Sequence, residues 1–134
     1  MGTADILRRK INTKTANIAV IGLGYVGLPL AISFAQKGFK VLGIDVNLKR
    51  IERLQKGESY ITDVKSKDFA SLIHQKRFIV STSFEALKQM DAVIICVPTP
   101  IKRKYTPDIS YMLSAVRSIA QYLHKGMLIV LEST

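Results

Sequence analysis

The sequence is short of cysteine, of acidic residues and of long apolar runs. Its single cysteine, Cys96, excludes an internal disulfide and fits a reducing, cytoplasmic setting. No apolar run approaches the length needed to cross a bilayer, so no membrane partner is expected. Residues 1–15 are polar and basic and lack the apolar core of a secretory signal. The two histidines, His74 and His124, have no second ligand at metal spacing, so no metal site is expected and both read as ordinary helix positions. No Ser/His/Asp arrangement, internal repeat or low-complexity segment is readable. Ten acidic residues against twenty basic ones leave a net charge of +10. Such a balance raises nucleic acid as a partner. The charges are scattered, however. The only tight clusters, Arg8-Arg9-Lys10 and Lys102-Arg103-Lys104, have no aromatic stacking platform beside them. The expectation is therefore an anionic small ligand and no nucleic acid.

What is present is enough for one folded domain: 134 residues, 48% of them apolar. The chain is organised around residues 17–38, NIAVIGLGYVGLPLAISFAQKG. An apolar run, Ile18 to Ile21, stops at Gly22. Gly22, Gly24 and Gly27 follow in the spacing G-x-G-x-x-G, and an amphipathic helix pattern carrying Val26, Leu30 and Phe34 runs on to Gly38. Strand, tight turn and helix in that order suit a dinucleotide. Gly22 permits the sharp turn, Gly24 lets backbone approach a pyrophosphate, and Gly27 lets the helix lie close to the strand. The helix N-terminus offers free N–H groups and partial positive charge to the phosphates. A second strand, Lys40 to Ile44, ends at Asp45, about twenty residues past the glycines, where a carboxylate receives the ribose hydroxyls.

Further along, Asn47 caps a helix carrying Ile51 and Leu54, and Asp63 is expected to cap another carrying Phe69, Leu72 and Ile73. Phe78 to Ser81 reads as a third strand and Ser83 starts a brief helix. Asp91 to Val97 is continuously apolar, as a strand buried on both faces would be. Asp108 is expected to cap a long helix reaching Leu123, with His124 in its last turn. Met127 to Leu131 is the fifth strand. Alternating strands and helices predict an α/β fold: a Rossmann-type, doubly wound parallel sheet of five strands in order 3-2-1-4-5, in three αβα layers, truncated after strand 5. Residues 1–15 are expected to be a basic, partly disordered lead-in, and residues 16–134 the dinucleotide-binding domain.

GLGYVGLPLA at 22–31, GIDVNLKRI at 43–51, GESYITD at 57–63, CVPTP at 96–100, PDISY at 107–111 and EST at 132–134 occur in that order. Together they resemble the N-terminal NAD-binding domain of the nucleotide-sugar 6-dehydrogenases, and GESYITD with PTP and PDISY resembles most the UDP-N-acetyl-hexosamine branch. The resemblance implies NAD as cofactor and a UDP-sugar as substrate. It further implies oxidation of the C6 hydroxymethyl to a carboxylate with two NAD per turnover, by way of a thioester on a catalytic cysteine.

By position, the resemblance assigns backbone contacts with the pyrophosphate to Tyr25 and Val26, beside Gly22, Gly24 and Gly27. Asp45 takes the ribose, Arg50 lies over the adenosine side, and Val97, Thr99 and Thr134 end strands 4 and 5 near the nicotinamide. Thr134 is also expected to place the hydrolytic water. The family's cysteine nucleophile and sugar-binding domain lie beyond the positions matched here, so the fragment itself is expected to be inactive, and Cys96 is expected to be a small core residue. A homo-oligomer is expected. The UDP-glucose branch and a stand-alone NAD-binding module remain alternatives.

Overall fold

The computed structural model describes residues 1–132. β1 (Asn17–Ile21) shows why the fold is layered. Side chains alternate along a strand, and here both sets are buried: Ile18 and Val20 on one face, Ala19 and Ile21 on the other. A strand apolar on both sides needs cover on both sides. α2 (Gly27–Gln36), α3 (Leu48–Gln55) and α4 (Ser66–His74) supply it on the first face, through Leu28, Ile32, Ile51, Leu54, Phe69 and Leu72. A short 3₁₀ turn at Glu85–Gln89 and α5 (Ser110–Ala120) supply it on the second, through Leu87, Ala115 and Ile119.

β2 (Lys40–Ile44), β3 (Phe78–Ser81), β4 (Ala92–Ile95) and β5 (Leu128–Leu131) complete a five-stranded parallel sheet in the order β3-β2-β1-β4-β5. The predicted fold and strand order are thus the observed ones. β1 pairs with β2 on one side (Val20 opposite Gly43) and with β4 on the other (Val20 opposite Ile94). The chain reverses its direction of winding between β1 and β4. A crevice opens there at the carboxyl ends of the strands.

Four local expectations change. The lead-in is a helix, α1 (Thr3–Asn12), with no buried residue. It is held by polar contacts that a local pattern cannot reveal: Lys10 Nζ lies 2.8 Å from Asp91 Oδ1, while Asp91 Oδ2 accepts from the Asn17 amide at 2.8 Å. Asp63 does not cap α4, whose N-cap is Lys65 with no side-chain bond. The preceding loop is instead tied down by Ser66 Oγ, which accepts from the Ser59 amide at 2.9 Å. Asp108 sits one residue before the N-cap Ile109 and still serves the first turn, accepting from the Ser110 amide at 2.9 Å. α5 ends at Ala120, so His124 lies outside it, with Nε2 2.8 Å from the Met90 carbonyl oxygen. Asn47 caps α3 as expected, its side chain accepting from the Arg50 amide. Among the described residues no helix is long and apolar enough to cross a membrane.

Candidate dinucleotide site

The turn between β1 and α2 uses its glycines in different ways. Gly22 has φ +93°, and a Cβ there would sit 2.8 Å from the Cys96 carbonyl oxygen. A Cβ on Gly27 would overlap the carbonyl oxygen of Gly22 itself. Both glycines are therefore required by the packing of the turn against β4 and against itself. Gly24 differs: its nearest neighbour would be Arg50 Nη1 at 4.0 Å, and no backbone lies near. That open backbone faces the crevice, available to a ligand. α2 starts directly behind it, with Val26 at the N-cap, no side-chain cap bond and no acidic residue in the first turn. The Leu28 amide donates to the Gly24 carbonyl oxygen and Pro29 has no N–H, so the start of α2 offers an anion its dipole and the amides of residues 24–27, none of them spent on a protein carboxylate.

Asp45, one residue past β2, is buried to 7% relative exposure. Its Oδ2 accepts from the Leu23 amide at 2.9 Å and lies 3.3 Å from Arg50 Nη1, while Oδ1 accepts from the Asn47 amide at 2.8 Å. The carboxylate therefore does two things. It ties the end of β2 to the glycine turn, and with acceptor capacity for about four bonds it keeps room for one more donor. A ribose hydroxyl is such a donor.

Arg50 rests over the ring of Tyr60, its Cζ 5.4 Å from the centroid, and Arg53 lies at 5.8 Å. The Tyr60 hydroxyl donates to the Leu23 carbonyl oxygen at 2.6 Å. Burial, helped by the nearby Asp45 charge, pushes this hydroxyl up to about 12.

The crevice encloses about 530 Å³. One wall is Gly22, Gly24, Tyr25, Val26, Asp45 and Arg50; the other is Cys96, Val97, Pro98, Ser114, Ser118 and Glu132. Gly27 lies behind the turn rather than on the lining. Thr99 is half-buried and off the lining, where its neighbours Val97 and Pro98 are on it. Thr134 falls outside the described residues. The arrangement fits NAD: open backbone at Gly24 for the diphosphate, a seated carboxylate for the ribose, and apolar walls for the rings. Cys96 lies buried just past β4, and burial, reinforced by Glu132, pushes its thiol up, away from nucleophilic thiolate character.

Ser114 and Ser118 were not singled out from sequence, although their spacing of one helical turn places both on the crevice side of α5. Tyr60 was also missed as a site residue. It stands in the GESYITD segment, but its partner is thirty-seven positions away in the chain.

Residues 16–134 match the family described as "UDP-glucose/GDP-mannose dehydrogenase family, NAD binding domain". The chain is 41% identical over 122 residues to a UDP-N-acetyl-D-mannosamine dehydrogenase of Escherichia coli (strain K12), covering 89% of this chain and 28% of that relative. Among solved structures, the UDP-N-acetyl-mannosamine dehydrogenase Cap5O from S. aureus superimposes with a TM-score of 0.82 at 38% identity, over 89% of this chain and 28% of that one. A UDP-glucose dehydrogenase from the archaeon Pyrobaculum islandicum gives 0.80 at 32% identity, over 89% and 29%. The chain thus spans little more than a quarter of the length of these relatives. It belongs to the UDP-glucose/GDP-mannose dehydrogenase family, of which it is the NAD-binding domain.

Proposed function

We propose that the whole protein oxidises the C6 hydroxymethyl of a UDP-N-acetyl-hexosamine to a carboxylate, and that the crevice described above holds its NAD. The observation that carries the substrate assignment is the higher identity to UDP-N-acetyl-mannosamine dehydrogenases than to a UDP-glucose dehydrogenase. NAD supplies the hydride acceptor for each of two oxidations, alcohol to aldehyde and aldehyde to acid. This chain's residues bind and orient it. The Gly24 backbone and the start of α2 receive the diphosphate. Asp45 receives the adenosine ribose, with Arg50 beside it. Val97 faces the nicotinamide end, Thr99 stands two residues on and off the lining, and Thr134 positions the water that releases the acid.

The second oxidation passes through a covalent thioester and needs a nucleophilic thiol. Cys96, the single cysteine among these 134 residues, is buried with a raised pKa. Without such a thiol the second oxidation has no route, and the 134-residue chain alone is proposed to bind NAD without sustaining turnover. A panel of UDP-sugars tested on the whole protein, with NADH absorbance followed, checks the assignment. Preference for a UDP-N-acetyl-hexosamine is expected. Preference for UDP-glucose would move the substrate to the other branch of the family, and NADH production by the 134-residue chain would overturn its inactivity.

A further inference from the structure

Tyr60 lies between α3 and α4, outside the glycine turn and off the lining of the crevice. Its contacts nevertheless close a ring of four groups. Its hydroxyl donates to the Leu23 carbonyl at 2.6 Å. The Leu23 amide donates to Asp45 Oδ2 at 2.9 Å. The same carboxylate oxygen lies 3.3 Å from Arg50 Nη1. The Arg50 guanidinium returns to the face of the Tyr60 ring at 5.4 Å. A backbone unit of the glycine turn, the ribose-binding carboxylate and a neighbouring cation are thus held in one circuit, and Tyr60 is its keystone. With its pKa near 12, the hydroxyl remains a donor throughout the physiological range.

The chemistry of the cation gives this circuit a consequence. An arginine beside the strand-end acid is the group that receives an adenosine 2′-phosphate in NADP-binding relatives of the fold. Arg50 is such an arginine, and it is half-exposed. Here it is engaged on one side by Asp45 and on the other by the π-face of Tyr60, an interaction that strengthens as water is excluded. Arg53, the second cation over the ring, is occupied with the Ser59 carbonyl oxygen at 3.0 Å. Arg53 is off the crevice lining, and Arg50, which is on it, has Nη1 turned to Asp45 Oδ2 and its guanidinium laid on the Tyr60 ring.

We propose that Tyr60 is a positioning and cofactor-specificity residue. It holds Arg50 on Asp45, away from a 2′-phosphate, and it holds the glycine turn in its diphosphate-receiving shape through Leu23. It acts through Arg50 and Leu23 and touches no reacting atom. The inference rests on the NAD reading of the crevice.

The test is calorimetric titration of the chain with NAD and NADP, run on the unmodified protein and on Tyr60→Phe and Tyr60→Met, with thermal melts and amide hydrogen exchange alongside. Tyr60→Phe keeps the ring and loses the hydroxyl. NAD binding is expected to weaken by about threefold to tenfold and the turn amides of residues 22–26 to exchange faster, with the NAD-to-NADP affinity ratio unchanged. Tyr60→Met conserves apolar bulk and loses both contacts. The ratio is then expected to fall by about fivefold or more as Arg50 is released. A purely structural residue would weaken both cofactors by one common factor, and an unchanged ratio in Tyr60→Met would overturn the proposal. If the methionine variant does not fold, the phenylalanine variant decides: unaltered NAD affinity and unaltered exchange at the turn overturn it. Failure of the unmodified chain to bind NAD would overturn the reading of the crevice itself, and this proposal with it.

Discussion

The two sides of the crevice are built to different standards. On the β1-β2-β3 side, α2, α3 and α4 cover the sheet, and Phe69, Phe78, Leu23, Leu28 and Leu54 are fully buried. The adenosine-side groups are cross-braced there by Asp45 and Tyr60. On the β4-β5 side, only Ala115 and Ile119 of α5 are buried. Ile109, Leu113 and Val116 remain about half exposed. β5 is an edge strand with Leu128, Ile129 and Leu131 exposed. One side is finished as a binding surface by its own residues. Among the described residues, the other presents apolar side chains and a strand edge with no partner. In the proposed reading of the crevice, recognition of the adenosine half of NAD is therefore a local property of these residues. Among the described residues, fewer groups stand at the nicotinamide half.

Substitutions at the glycine turn are the strongest way to break that contrast. Gly27→Ala drives a Cβ into the Gly22 carbonyl and should cost about 1–3 kcal/mol of stability, read by denaturant melts. Gly24→Ala meets no backbone. It should leave stability within about 0.5 kcal/mol while weakening NAD by about tenfold or more, because the new methyl occupies the diphosphate's approach. Equal stability losses in the two variants would mean that Gly24 is also a packing residue.

Next in size is Asp45→Asn. It loses the charge that engages Arg50 and a ribose hydroxyl, and NAD affinity measured by calorimetry should fall about tenfold. Loss of the fold in this variant would show that the bond to the Leu23 amide matters more than the ligand contact.

Among the described residues nothing pairs with the outer edge of β5, and in the 134-residue chain an apolar edge of this kind would be a template for strand pairing with a second copy. Light scattering over a concentration series should show self-association, and Ile129→Lys should reduce it. A monomer at every concentration would remove the edge from the account.

The smallest effect is the alkaline behaviour of Tyr60. Its pKa is raised from 10.0 to about 12 by burial and then by Asp45, so the neutral form is favoured in the folded state. The associated stability is complete below pH 10.0 and is lost as pH rises toward 12. Tyr60→Phe should lack this added loss in denaturant melts taken across that window.

The same asymmetry explains what the sequence made legible. The strand order and the glycine turn could be read because they are written locally. Ile18 to Ile21 ends at a glycine, the three glycines hold their spacing, and Asp45 closes the next strand. Asn47 caps α3 because its partner is three residues away. Two of the features the sequence did not show depend on distant partners. α1 shows no buried stripe and is anchored through Asp91, eighty-one positions from Lys10. Tyr60 looks like a loop tyrosine until Leu23 and Arg50 are placed around it. Leu123 fits the helical spacing of α5, yet the helix ends at Ala120 and Leu123 is exposed. Local periodicity cannot say where a helix loses its supporting surface.

In the proposed reading, the β1-β2-β3 side recognises the adenosine half of NAD by itself. Calorimetric titration of the 134-residue chain with NAD, ADP-ribose and NADP tests it directly. ADP-ribose, which lacks the nicotinamide, is expected to bind within about threefold of NAD, and NADP about tenfold or more weaker than either. Equal or tighter binding of NADP, or binding that is lost with the nicotinamide, would contradict it.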